Sequence, residues 1–487
     1  MTQQELEKYL WGAATALRGT IDAGDYKQYI FPLLFFKRIC DVYDEEFKLA
    51  LNESDGDLEY AAFAENHRFV IPTGAHWNDV RENTINVGIA IQYAMREIEK
   101  HNPDTLEGIF GDASWTNKNR LSDATLNNLI EHFSQHTLSL ANVADDKLGN
   151  AYEYLIKEFA DDSGHTAAEF YTNRTVVKLM TKIMDPQPGE SVYDPTCGSG
   201  GLLLNCALHL KEEGKEYRNL KLYGQEINLI TSAIARMNMF MHGIEEFKIV
   251  RGDTLAEPGL LENDQLKTFN VILANPPYSI KSWNRDAFVN DSWGRNIWGL
   301  PPQGCADYAF QQHIQKSLDK NNGRSISLWP HGILFRDSEA EMRRNMIESD
   351  LVEAVIGLGP NLFYNSPMEA CLLITNNNKS ADKKGRILFI NAVKEVRNEK
   401  TMSFLSEQHI DKIFNVYKQY DTINDFSVVV NNNVVLEDNK GNLSISLYIR
   451  PDALTDLEQQ NVFATNYQQW ITSSEELSNS MNQLFQN

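Results

Sequence analysis

The sequence predicts an α/β protein: an all-helical N-terminal region, then a doubly wound, mostly parallel sheet, then a short helical tail. Three observations carry this. Residues 1–160 hold amphipathic helical patterns and no cluster of chemically active side chains. From residue 191 onward, short continuous apolar runs alternate with helical stretches, the pattern of strands buried on both faces. From Pro451 the chain contains no Lys or Arg and ends on an apolar stripe at helical spacing. The expected domains are therefore 1–160, 161–450 and 451–487.

In the first domain, Thr2 and Glu5 form a capping-box pattern, and Leu6, Leu10, Ala13 and Leu17 follow at helical spacing. Residues 29–47 carry Leu33, Phe36, Ile39, Cys40, Tyr43 and Phe47 on one face, with Pro32 expected in or before the first turn. "VGIAIQYAMREIEK" (87–100) and "LNNLIEHFSQ" (126–135) are further amphipathic candidates. In the second domain, "SVYDP" (191–195), "KLYGQEI" (221–227), "FKIVRGD" (247–253), "NVILANP" (270–276), "SISLWP" (325–330), "VEAVIGL" (352–358) and "ACLLIT" (370–375) read as strands. Helical stretches at 201–213, 228–241, 307–320 and 338–349 separate most of them. The last two strands have no helix between them and are expected as an antiparallel pair at the sheet edge. In the tail, Thr472 and Glu475 cap a stripe of Leu477, Met481, Leu484 and Phe485, a face for its own domain or for a partner.

Composition narrows the partners. The 487 residues are 42 % hydrophobic, enough for a sizeable core, and the formal net charge is −22. Affinity for nucleic-acid phosphates comes from Lys and Arg, so this chain alone is expected to bind DNA poorly unless a local basic face or a partner supplies the charge. No apolar run reaches the ~18 residues that span a bilayer, and "MTQQELEKYL" has neither a basic leader nor an apolar signal core, so the cytoplasm is the expected location. The five cysteines are scattered without a Cys-x-x-Cys pair and read as reduced thiols, not as a metal site.

Two segments carry chemistry. "DPTCGSGG" (194–201) ends the first strand and opens the first helix. Gly198, Gly200 and Gly201 would let the backbone approach a ligand closely, and Asp194 at the strand end suits a cationic ligand better than a pyrophosphate. Glu226, ending the second strand, is placed to accept from a ribose diol. Asp253, ending the third, is placed to meet an adenine amino group or, equally, to cap the next helix. The other segment is Asn275-Pro276-Pro277-Tyr278 at the end of the fourth strand. Proline fixes its own φ and restricts the residue before it, so this turn is stiff. Its free polar atoms are mainly acceptors: the Asn275 amide oxygen and the Pro276 carbonyl. Two fixed acceptors fit an –NH₂ group, hold its hydrogens out of the ring plane and stabilise the positive charge that develops on nitrogen as it attacks an electrophile. Tyr278 offers a ring face for a base, worth ~1–3 kcal/mol of stacking.

"DPTCGSGG", "QEI", "GDTL" and "NPPY" in this order resemble amino-methyltransferases that use S-adenosyl-L-methionine, and "EFYTNR" (169–174) resembles the additional cofactor-binding segment of adenine-N6 DNA methyltransferases. "LWGAATALRG" (10–19), "ADYAFQQHI" (306–314), "HGILFR" (331–336), "NLFYNSPMEACLLI" (361–374), "ILFINA" (387–392) and "LSISLYI" (443–449) resemble the modification subunit of type I restriction–modification systems. The resemblance covers nearly the whole chain and implies a Rossmann-like methyltransferase fold. It implies that Glu169, Phe170, Tyr171, Thr172, Asn173 and Arg174 enclose the cofactor. Asp194, Thr196, Gly198, Ser199, Gly200 and Gly201 would form its main loop, with Glu226 on the ribose and Asp253, Thr254 and Asn275 nearby. Asn275, Pro276, Pro277 and Tyr278 would hold the target adenine, with no general base or metal required. Asn173 stands where the family usually has proline, and Tyr278 where many relatives have phenylalanine, a change expected to matter little. The implied partners are DNA reached through a complex, a specificity subunit that reads the sequence, a second copy of this chain and an ATP-dependent restriction subunit. No Gly-Lys-Ser/Thr phosphate loop is present, so this chain is not that motor.

Residues 279–305, "SIKSWNRDAFVNDSWGRNIWGLPPQGC", read either as a mobile lid over the flipped base or the DNA backbone, or as a buried loop anchored by its tryptophans. Two rival functions remain at this level. The same four-residue set serves enzymes that methylate a protein glutamine or an RNA guanine amine, and a modification-like chain can act as a silent scaffold of a defence complex.

Overall fold

A computed structural model describes residues 1–162, 172–362, 368–399 and 402–449. The tail stripe and its Thr472/Glu475 pattern lie outside these residues, as do Glu169, Phe170 and Tyr171.

The strands are β1 (Ser191–Asp194), β2 (Lys221–Glu226), β3 (Phe247–Arg251), a small antiparallel ribbon of β4 (Leu261–Glu262) and β5 (Gln265–Leu266), then β6 (Val271–Ala274), β7 (Arg324–Pro330), β8 (Val352–Leu358), β9 (Ala370–Asn376), β10 (Arg386–Ala392) and β11 (Ser427–Asn431). Apart from the ribbon they form one sheet in the order β11-β10-β8-β9-β7-β6-β1-β2-β3. β9 runs antiparallel to β7 and β8, and β11 antiparallel to β10; the other pairs are parallel. The expected antiparallel pairing of 352–358 with 370–375 is present, but not at the sheet edge. β9 slots between β7 and β8, and β10 and β11 extend the sheet beyond them.

Alternation of side chains sorts the sheet into two faces. Val192, Leu222, Val271, Leu273 and Ile326 pack with helices Arg174–Met184, Gly201–Glu212 and Glu407–Gln419. Tyr193, Ile272, Ala274 and Trp329 pack with helices Asp307–Lys316 and Ala340–Glu348. At β1 the chain order reverses: β2 lies on one side and β6 on the other. The carboxyl ends of strands flanking such a switch point open a crevice, and Asp194 and Asn275 lie at those ends.

The N-terminal part is helical, beginning with Gln3–Leu17, whose Thr2–Glu5 capping box is formed. Pro32 is the sixth residue of helix Lys27–Glu53, a turn deeper than its sequence predicts. The helical core also takes in Ala233, Ile234, Met237, Phe240 and Met241 from the sheet-side helix Leu229–Met241. Among the described residues no helix is long and apolar enough to cross a membrane.

Candidate active site

Asp194 ends β1 with its carboxyl buried (1 % exposed). Its Oδ1 accepts from the Thr196 backbone N–H at 3.0 Å. The Thr196 hydroxyl lies beside it without forming a well-shaped hydrogen bond. Burial first, then the nearby Glu226 carboxylate, push Asp194 up to about 8. The turn then doubles back. Gly198 (φ 54°) and Gly200 (φ 81°) adopt left-handed backbone, and a Cβ on Gly200 would come 2.9 Å from Met239 Cε. Asn238 donates to the Ser199 carbonyl at 3.1 Å and holds the turn from behind. A Cβ on Gly201 would meet nothing within 4 Å; this side is open. Glu226 accepts the Gly198 N–H at 3.1 Å and the Asn228 N–H at 2.8 Å, so its carboxylate is fixed at the turn's rim.

Asn275 follows β6. Its Nδ2 donates to Thr172 Oγ1 at 3.0 Å, and its Oδ1 accepts from the Tyr278 hydroxyl at 2.7 Å. Pro276 is buried, while Pro277 and Tyr278 are half-buried. Ser279 leaves the turn at φ 52°, its N–H held at 2.7 Å by Asp307, which Arg336 pairs at 2.7 Å. Burial around its hydroxyl end holds the Tyr278 phenol well above its ordinary value.

Thr172, Arg174, Asp194, Thr196, Gly198, Ser199, Gly201 and Asn275 line one cleft that opens to solvent. The glycine turn and Asn275 thus share a single cleft, while Pro276, Pro277 and Tyr278 are not among its lining residues. Three expected residues spend their polar groups elsewhere. Asn173 is buried, caps helix Arg174–Met184 and donates to the carbonyls of Leu362 and Ser403. The Asp253 Oδ1 accepts the Leu255 and Ala256 N–H groups; it closes a turn, and no helix follows it for the expected cap. The Thr254 hydroxyl donates to the Pro195 carbonyl, bracing the turn from below. The structure adds Glu153, from helix Asp145–Asp162. It is 6 % exposed, lines the cleft, pairs with Arg174 and accepts from Asn238 at 3.3 Å. Its only sequence signal is a carboxylate inside an otherwise apolar face beside Tyr152 and Ile156.

The 279–305 segment is an anchored loop. Arg295 is 1 % exposed, donates to the Thr254 and Leu255 carbonyls and pairs with Asp291. Trp298 and Phe288 are buried. Among the described residues, Cys305, Asp307 and Glu339 come close enough to hold a metal, but the Arg336 guanidinium occupies their centre.

The N-6 DNA Methylase family matches residues 143–456, and the HsdM N-terminal domain matches residues 6–133. The chain is 29 % identical to the type I restriction enzyme MpnII methylase subunit of Mycoplasma pneumoniae, over 92 % of this chain and 90 % of that one. It is 31 % identical to the MjaVIII methylase subunit of Methanocaldococcus jannaschii, over 88 % and 75 %. Among solved structures, a type I restriction–modification methyltransferase subunit from Streptococcus thermophilus superposes with a TM-score of 0.79 at 29 % identity, covering 92 % of this chain and all of that one. With the helical part and the sheet part each matched by its own family model, the protein belongs to the N-6 DNA methylase family, as a type I restriction–modification methylase subunit.

Proposed function

We propose that this chain transfers a methyl group from S-adenosyl-L-methionine to adenine N6 in DNA, as the modification subunit of a type I complex. The single observation that carries the reading is the shared cleft: the Asn275 amide and the Gly198–Gly201 turn face one cavity.

The residues present fit such a cofactor. Its amino-acid end and its sulfur carry positive charge, and the cleft offers Asp194 and Glu153 as carboxylates with Arg174 for a carboxylate group. Glu226, fixed at the rim, is placed to accept from a ribose diol, and Ile227 beside it is 62 % exposed, an apolar flank for a flat ring. Glu169, Phe170, Tyr171 and Thr172 complete the enclosure in this reading. When bound, the cofactor supplies an electrophilic methyl group on a cationic sulfur. Asn275 Oδ1 and the Pro276 carbonyl then accept the two amino hydrogens of a flipped adenine, while Tyr278 stacks on its ring. Positioning and charge stabilisation supply the rate.

The acidic balance of the chain supports DNA being reached through a partner that supplies positive charge, and the likeness to type I methylase subunits supports a functional unit with a specificity subunit, a second copy of this chain and, for cleavage, an ATP-driven restriction subunit, in the cytoplasm. Asn275→Ala tests the core claim. Cofactor affinity should stay within about threefold, while methyl transfer falls by ~10²–10³-fold, the usual loss of one charge-stabilising group. Mass spectrometry of DNA nucleosides identifies the acceptor; no N6-methyladenine in the DNA, with the labelled methyl recovered instead on protein glutamine or RNA guanine, would overturn the reading.

A further inference from the structure

The Asn-Pro-Pro-Tyr backbone is stiff, but its decisive atom is not on the backbone. Asn275 Oδ1 sits beyond a terminal sp³–sp² torsion, whose preference is broad and roughly twofold. An amide turned the wrong way would offer an NH₂ donor to the incoming amino group. Something must fix which end points where. On one side Nδ2 donates to Thr172 Oγ1 at 3.0 Å; on the other the Tyr278 hydroxyl donates to Oδ1 at 2.7 Å. A phenol is a better donor than acceptor, and the Tyr278 phenol, held well above its ordinary value, keeps its proton across the working pH range. An amide oxygen has two acceptor sites, so one remains for the substrate.

We propose that the Tyr278 hydroxyl, distinct from the Tyr278 ring, is a positioning group: with Thr172 it clamps the Asn275 amide so that Oδ1 faces the side where a base stacked on that ring presents its amino group. On this inference tyrosine and phenylalanine are not equivalent at position 278, where the sequence led us to expect little difference. The inference rests on Asn275 being the amine acceptor.

The test uses the full chain assembled with its specificity subunit on unmodified target DNA, with saturating cofactor and single-turnover transfer of labelled methyl. Tyr278→Phe keeps the ring and removes one hydrogen bond. It should slow transfer about three- to tenfold, the rate equivalent of one net hydrogen bond. Cofactor and DNA dissociation constants should stay within about twofold. Thr172→Val removes the opposite clamp and should slow the step by a similar factor, with Thr172→Ser restoring it. In an Asn275→Ala background, Tyr278→Phe should cost nothing further, because the hydroxyl acts only through the amide. Transfer by Tyr278→Phe at or above the wild-type rate overturns the inference, as does an equal slowing in the Asn275→Ala background. Asn275→Ala transferring at the wild-type rate overturns the acceptor assignment itself, so the two failures are distinguishable. Thermal unfolding of each variant separates a lost clamp from a lost fold, and the Thr172 pair keeps the question answerable if Tyr278→Phe is unstable.

Discussion

Asp194 sets function against stability at a single carboxyl. Burial and Glu226 raise it to about 8, above the ordinary carboxylate value. The folded chain therefore holds a proton that the unfolded chain releases from roughly pH 4 upward. The stability this group contributes is present at low pH and is lost as pH rises through 8. A cationic ligand needs the opposite, ionised form. Cofactor binding near pH 7 should thus release close to one proton, and affinity should rise with pH up to about 8. Asp194→Asn should raise the melting temperature at pH 8, abolish the proton release and weaken binding. Calorimetry in two buffers of different ionisation heat reads the proton count; a wild-type count of zero would sink the assignment. Asp194 was legible because it punctuates a strand before a glycine turn. Glu153 was not, because a helix's period reports which face is buried, not which buried group lines a cavity. The Tyr278–Asn275 bond was hidden for a related reason: it lives at the level of side-chain torsions, below any spacing rule.

At the scale of elements, strands with continuous apolar runs and the turns after them were readable, since period and punctuation are local. Sheet order was not. β9 looked like an edge partner of β8 because they are sequential, yet its fully buried run is explained only by β7 on its other side. The segment 279–305 posed a different problem, since the same tryptophans fit a lid or an anchor. The buried Arg295 favours the anchor. Its guanidinium lies over the Phe288 and Trp293 rings and holds two backbone carbonyls besides Asp291. Removing one partner of such a pair leaves an uncompensated buried charge. Arg295→Met should therefore destabilise the protein by about 3–5 kcal/mol in denaturant unfolding. Hydrogen exchange through 288–298 should be slow with or without cofactor. A loop that exchanges freely until cofactor is added would restore the lid.

At the scale of the whole molecule, the helical N-terminal part and the sheet are joined through helix Leu229–Met241, which serves both cores. One side of it contributes Ala235 and Met239 to the sheet's core, while Ile234, Met237, Phe240 and Met241 belong to the helical one. The Phe240 ring lies 5.9 Å from Phe35, 5.2 Å from Phe69 and 4.9 Å from Phe247, joining rings from both parts. Glu153 carries the same junction into the cleft: it reaches from the preceding helix to Arg174 and, through Asn238, to the backbone of the glycine turn. The helical part therefore packs against the sheet and also supplies Glu153 to the cleft. Without it, one wall of the cleft and the partner surface of helix Leu229–Met241 are missing. A fragment beginning at residue 161 should expose that apolar face and fail to bind cofactor. In the full chain, Phe240→Ala should cost about 3–5 kcal/mol, as expected for emptying a packed aromatic site. Both parts should lose stability together in one calorimetric transition. Two separate transitions, with only one shifted by the substitution, would mean that the cores fold independently and that the helical part could be removed without harm to the site.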